Sequence, residues 1–118
     1  MDAFDPQRTF ELIEREVGAR LQARGYAITK QDFIAHAEGT RYTIFSRPSG
    51  HVRLTWDGRA QKFILRSYRK GSAIVRTLRM TLLGRHDLDK LEHETIVRAE
   101  EWRSLGEEEW IRKFTDKL

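Results

Sequence analysis

Residues 41–68 read RYTIFSRPSGHVRLTWDGRAQKFILRSY, and the alternation within this stretch decides the fold. Apolar and polar residues exchange places at every second position in three runs, the spacing of a strand with one buried face. In Arg41–Arg47, Tyr42 and Ile44 fall on one side, with Arg41, Thr43, Phe45 and Arg47 on the other. His51–Asp57 sets Val52, Leu54 and Trp56 against His51, Arg53 and Thr55. Ala60–Tyr68 sets Phe63 and Leu65 against Lys62, Ile64, Arg66 and Tyr68. Pro48-Ser49-Gly50 and Asp57-Gly58 interrupt the runs where a chain that doubles back needs turns. The expectation is an antiparallel meander whose core face is Tyr42, Ile44, Val52, Leu54, Trp56, Phe63 and Leu65.

Upstream, the period lengthens. Asp5-Pro6 has the chemistry of a helix start, an N-capping carboxylate before a proline whose missing N–H costs nothing there. Phe10, Ile13, Val17 and Leu21 then form one apolar stripe, and Gly25 is placed to end the helix in a left-handed conformation. Between this helix and Arg41, Tyr26–Thr29 and Phe33–Ala37 read as strand pieces on either side of the polar Lys30-Gln31-Asp32, taken as a turn or a bulge. Glu38-Gly39-Thr40 turns the chain into the next strand.

Downstream, three segments read as helical. Ser72–Leu83 carries Ile74, Leu78 and Leu82 at helical spacing between a Ser N-cap and Gly84, although its β-branched residues also permit a strand. From Asp87, the residues Leu88, Leu91, Thr95, Ala99 and Trp102 share a helical side. Ser104 and Glu107 have capping-box spacing ahead of a last helix with Trp110, Ile111, Phe114 and Leu118 on its apolar stripe. Residues 1–118 therefore read as a single α+β domain. An N-terminal helix covers a meander of about four strands, and two or three C-terminal helices follow.

Charge divides the chain in the same places. Residues 41–86 hold eleven Lys or Arg and one acid, Asp57, whereas residues 1–40 and 87–118 are both net acidic. The overall formal charge of +4 hides this separation. With 118 residues and 39% hydrophobic composition the chain is long enough for a packed core. The absence of cysteine excludes disulfides, thiolate metal sites and cysteine nucleophiles. Cysteine-free composition and an acidic, non-apolar N-terminus point to the cytoplasm, and no apolar run is long enough to span a membrane.

Specific chemistries fare poorly. The four histidines lack metal-ligand spacing, and after His93-Glu94 position 97 is Val, so a zincin pair is not formed. A magnesium-dependent nuclease needs carboxylates at a strand end beside a lysine, and the basic segment offers Asp57 alone. Phosphate-loop and nucleophile-elbow motifs are missing. Neither cofactor nor metal is implied. Glu107–Glu109 is explained by its place in the first turn of a helix.

What remains is a basic face. Its candidate binding residues are Arg41, Phe45, Arg47, Arg53, Lys62, Arg66 and Tyr68, extended by Arg76 and Arg79. The first reading is a small non-enzymatic interaction domain that contacts an acidic protein partner or a second copy of itself, in an adaptor, inhibitor or immunity-type role. The second is nucleic-acid binding, with cations on phosphates and bases stacked on the aromatics. A nuclease-like enzyme comes third. The discriminating question is whether the strand arginines stand open or are consumed by acids of the C-terminal segment.

Overall fold

The computed structural model describes residues 5–35, 39–69, 90–102, 104 and 106–116. The Ser72–Leu83 segment, with Arg76 and Arg79, lies outside them.

Helix α1 runs Pro6–Gln22 and starts as its sequence dictates. The Asp5 carboxylate accepts the Gln7 and Arg8 N–H groups at 3.1 and 3.3 Å, satisfying two donors that no helical carbonyl reaches. At the other end Gly25 takes a φ of 89°. The Tyr26 N–H then bonds to the Leu21 carbonyl and the Gly25 N–H to that of Gln22, the paired bonds of a Schellman ending. Asp5→Ala is expected to cost about 0.5–2 kcal/mol in urea unfolding, the usual value of an N-cap.

Five strands follow in an antiparallel sheet of order β1-β2-β3-β4-β5. They are β1 (Ala27–Ile34), β2 (Thr40–Arg47), β3 (Gly50–Asp57), β4 (Lys62–Arg69) and β5 (Lys90–Arg98). The two strand pieces expected before Gly39 are one strand, and the irregularity is a bulge between Ile28 and Lys30 rather than a turn. After β3, the Asp57 carboxylate accepts the Arg59 and Ala60 N–H groups, and Gln61 takes a positive φ of 53° to enter β4. Two short helices, α2 (Ala99–Trp102) and α3 (Glu107–Thr115), complete the α+β order.

The segment expected to be helical from Asp87 to Trp102 is instead strand β5 over Lys90–Arg98, with helix only from Ala99. The unpaired edge of β4 explains why. Thr95-Ile96-Val97 is a β-branched run that fits a pleated surface, and pairing Phe63 with Val97 buries Val97 completely. A weak helical stripe yields to that ladder. The Ser104 capping box also fails to form. Gly106 is the N-cap of α3, while the Ser104 hydroxyl donates to the Glu101 carbonyl at 3.0 Å and so closes α2.

The core lies between the sheet and the helices. Phe10, Ile13, Val17 and Leu21 of α1 and Phe114 of α3 meet Phe45, Val52, Leu54, Trp56, Phe63, Leu65 and Val97. The β3 and β4 assignments hold, but the expected face of β2 is reversed. Antiparallel partners point the same way, and β2 pairs Phe45 with Val52, Thr43 with Leu54 and Arg41 with Trp56. Phe45 and Thr43 are therefore buried on the helix side, and Tyr42 and Ile44 face outward. Space decides it, because Gly18 has no side chain where the Phe45 ring comes against α1. A Cβ at Gly18 would lie 3.3 Å from that ring. The Thr43 hydroxyl is satisfied by donating to the Glu14 carboxylate, which also accepts from Gln31.

Candidate functional site

The sheet has an inner face under the helices and an outer face whose side chains lie outside the main core cluster. Strand register fixes the rows of the outer face. One row is Lys30, Ile44, Arg53, Arg66 and Glu94; the next is Asp32, Tyr42, Thr55, Ile64 and Ile96. Toward one end come His51 and Tyr68, and toward the other Asp57, Lys62 and Arg98.

This arrangement splits the candidate residues. Arg53, Lys62, Arg66 and Tyr68 share the outer face. Phe45 does not belong there, being fully buried in the core. Arg41 and Arg47 follow Phe45 to the helix side, because they sit at even steps from it. The Arg41 guanidinium lies between two rings, 4.8 Å from the Phe33 centroid and 5.9 Å from that of Phe10. Arg47 lies 4.4 Å over Tyr26 and donates to the Arg24 carbonyl at 3.0 Å. These two arginines cover aromatic edges of the core, with their charge held by π faces and a carbonyl.

On the outer face the arginines differ in their partners. Arg66 forms a 2.6 Å pair with Glu94, its neighbour across the ladder. The hydrogen bond to Glu94 raises the Arg66 pKa above its ordinary value, against a smaller opposing effect of burial. Arg69, at the strand end, is paired with Glu92 at 2.6 Å. The acids that neutralise the sheet thus come from β5, beside it in the same plane. Glu101 pairs instead with Lys113, between the two short helices.

Arg53 is different. It stands directly opposite Arg66, with Ile44 on its other side. Its guanidinium lies 4.6 Å over the Tyr42 ring, which Lys30 approaches from a neighbouring position at 5.7 Å. The Tyr42 hydroxyl donates to Asp32 at 3.4 Å. Tyr42 raises the Lys30 pKa, with Asp32 adding a smaller effect and Arg53 opposing. The Arg53 Nε is buried and has no hydrogen-bond partner among the described residues. A half-buried cation facing another cation, with an unsatisfied donor, sits at the centre of the sheet. Around it, Ile44 is half-buried, Ile64 is buried and Ile96 is 38% exposed.

Sequence reasoning missed Lys30, Tyr42 and Ile44 as members of this face. Lys30 was hidden inside a stretch read as a turn or a bulge. The other two were assigned to the core by the reversed parity of β2. The Gly18 gap in the apolar face of α1 was the available signal, since it marks room for a large ring opposite.

A cleft at the β2–β3 hairpin end is lined by Tyr26, Arg47, Ser49, Ser67, Tyr68 and Arg69 among others. Both arginines there already hold partners, Arg24 and Glu92. Tyr68 stacks on His51 at 4.5 Å. Among the described residues no three His, Asp or Glu side chains are grouped to hold a metal ion, and no helix is long and apolar enough to cross a membrane. Asp57, the one acid of residues 41–86, accepts two N–H groups within its own turn. Compared with protein-family models, curated proteins and solved structures, the chain matches none.

Proposed function

We propose that the chain is a small non-enzymatic binding domain whose outer sheet face holds an acidic protein partner. The observation that carries this reading is Arg53. Its Nε is buried with no acceptor among the described residues, its guanidinium lies over the Tyr42 ring, and the nearby acid Glu94 is engaged with Arg66. The guanidinium as a whole is only half-buried, and a carboxylate brought from outside can form a charge-assisted bond with its exposed part. Arg and Tyr at the centre of a patch rimmed by Ile44, Ile64 and Ile96 have the composition of an interface hot spot.

The same face suits a nucleic-acid polymer less well. Asp32, Asp57 and Glu94 stand among the cations, Phe45 is withdrawn into the core, and the Tyr42 ring is covered by Arg53. Stacking on Tyr68 competes with His51.

The test is a titration of the chain against a panel of Asp/Glu-rich peptides and against single-stranded and duplex DNA and RNA, at about 50 mM salt. The expected result is binding of acidic peptides that Arg53→Ala weakens about 30-fold or more, the effect of a lost hot spot near 2 kcal/mol. Circular dichroism and the melting temperature of Arg53→Ala are expected to stay native, since its side chain lies outside the core cluster. Nucleic-acid binding with a steep salt dependence, and no peptide binding, would replace this reading with the other.

A further inference from the structure

We infer that strand β1 is a self-pairing edge, and that two copies of the chain join there into one continuous sheet. Among the described residues strand β1 has a neighbour on one side only, and every residue in it except Ile34 is exposed. Ile28 and Phe33 are 43% and 53% exposed, large apolar groups on a strand beyond which no described residue lies. An open edge of this kind is a template for another strand. The question is what strand it selects.

The residues at its centre answer this. The bulge between Ile28 and Lys30 limits regular geometry to Lys30–Ile34. The Phe33 N–H bonds to the Asp32 side chain at 2.8 Å, which marks it as an amide on the open side of the strand. By alternation the N–H and carbonyl of Gln31 open the same way. An antiparallel pairing about a two-fold axis at Gln31 therefore lets the two Gln31 residues exchange backbone bonds. It also sets Lys30 of each copy opposite Asp32 of the other, twice over. Opposed residues in an antiparallel ladder must share a face, so the axis has to pass through a residue and not between two. Moved one residue on, it sets Asp32 against Asp32, a like-charge pair that disfavours that register. The sequence Lys30-Gln31-Asp32 is thus charge-complementary to itself in one register, and a second copy is the occupant that fits it.

The two-fold axis stands perpendicular to the sheet, so both outer faces look the same way. A dimer presents two Arg53 sites side by side on one continuous sheet, with five described strands from each copy. This does not depend on what Arg53 binds.

The test is sedimentation equilibrium of the full chain over about 1–500 μM, a span that brackets weak dimers. The wild type is expected to approach twice its monomer mass with rising concentration. Lys30→Asp and Asp32→Lys each place like charges across the axis, and each is expected to raise the dimer Kd about tenfold or more. The double variant Lys30→Asp/Asp32→Lys restores opposite charges and should return the Kd to within about threefold of wild type, since the pairing is symmetric to the exchange. Circular dichroism confirms that each variant is folded. A wild type that stays monomeric throughout overturns the proposal. So does a dimer indifferent to the single charge changes, or one the double variant fails to restore. Arg53→Ala should leave the dimer intact, which separates this result from failure of the partner reading.

Discussion

Phe45→Ala is expected to cost the fold about 3–5 kcal/mol, the usual penalty for emptying a buried phenylalanine site. Against a domain stability of about 5–15 kcal/mol, that removes a large share of the total. The site has little means of collapsing, because its walls are the backbone of α1 at Gly18 and the packed Val52 on the neighbouring strand. Ile44→Ala, one residue away, is expected to cost only about 1–2 kcal/mol, since its side chain is half-buried on the other face. Urea unfolding of the two variants side by side reads the orientation of β2 directly. Equal losses, or a larger loss at Ile44, would mean that the strand faces the other way.

Gly50→Ala is the second large effect, and its origin is steric. Gly50 pairs with Arg69 where β3 starts beside the end of β4. A Cβ built at Gly50 would lie 2.1 Å from the Tyr68 carbonyl oxygen, a backbone atom that cannot swing aside. The two strands must separate at this rung, which breaks the ladder and disturbs the His51–Tyr68 stack. The expected cost is about 3 kcal/mol or more, above the range of ordinary overpacking. Gly25→Ala is the control. Among the described residues no atom lies within 4 Å of a Cβ there, so its left-handed φ of 89° is what resists, at about 1–2 kcal/mol. Urea midpoints give the two costs, and amide exchange shows whether the opening under Gly50→Ala is confined to the Gly50–Arg69 end. A change below about 1 kcal/mol would show that the strands tolerate a side chain at that approach.

These contrasts show where the sequence was readable. Helix α1 was legible because its signals agree: Asp5, Pro6, the apolar stripe and Gly25 all specify one helix with two ends. Strands β3 and β4 were legible because only one side of each is mostly apolar. Strand β2 was not, because Tyr42-Thr43-Ile44-Phe45 carries large apolar groups on both parities. The tie is broken by the pairing with β3 and the gap at Gly18, neither of which is local. Strand β5 was missed for a related reason. Lys90–Arg98 carries a passable helical stripe, and only the free edge of β4 makes a strand the better use of Thr95-Ile96-Val97. The charge of the basic segment is not all on one surface. Alternation places Arg53 and Arg66 opposite to Arg41 and Arg47, and the parity error merged the two sets.

The packing of α3 against α1 has a consequence for how the chain acquires its structure. Phe114 and Phe10 belong to one core cluster, so a residue of α1 waits for one made about a hundred residues later. During synthesis the meander and α1 can associate early, through hairpins that close short loops. The apolar stripe of α1 nevertheless remains partly uncovered until residues 107–115 have left the ribosome. Helix α3 thus acts as a late lock on α1 and the meander, and the interval before it closes is a period of exposure to misassociation.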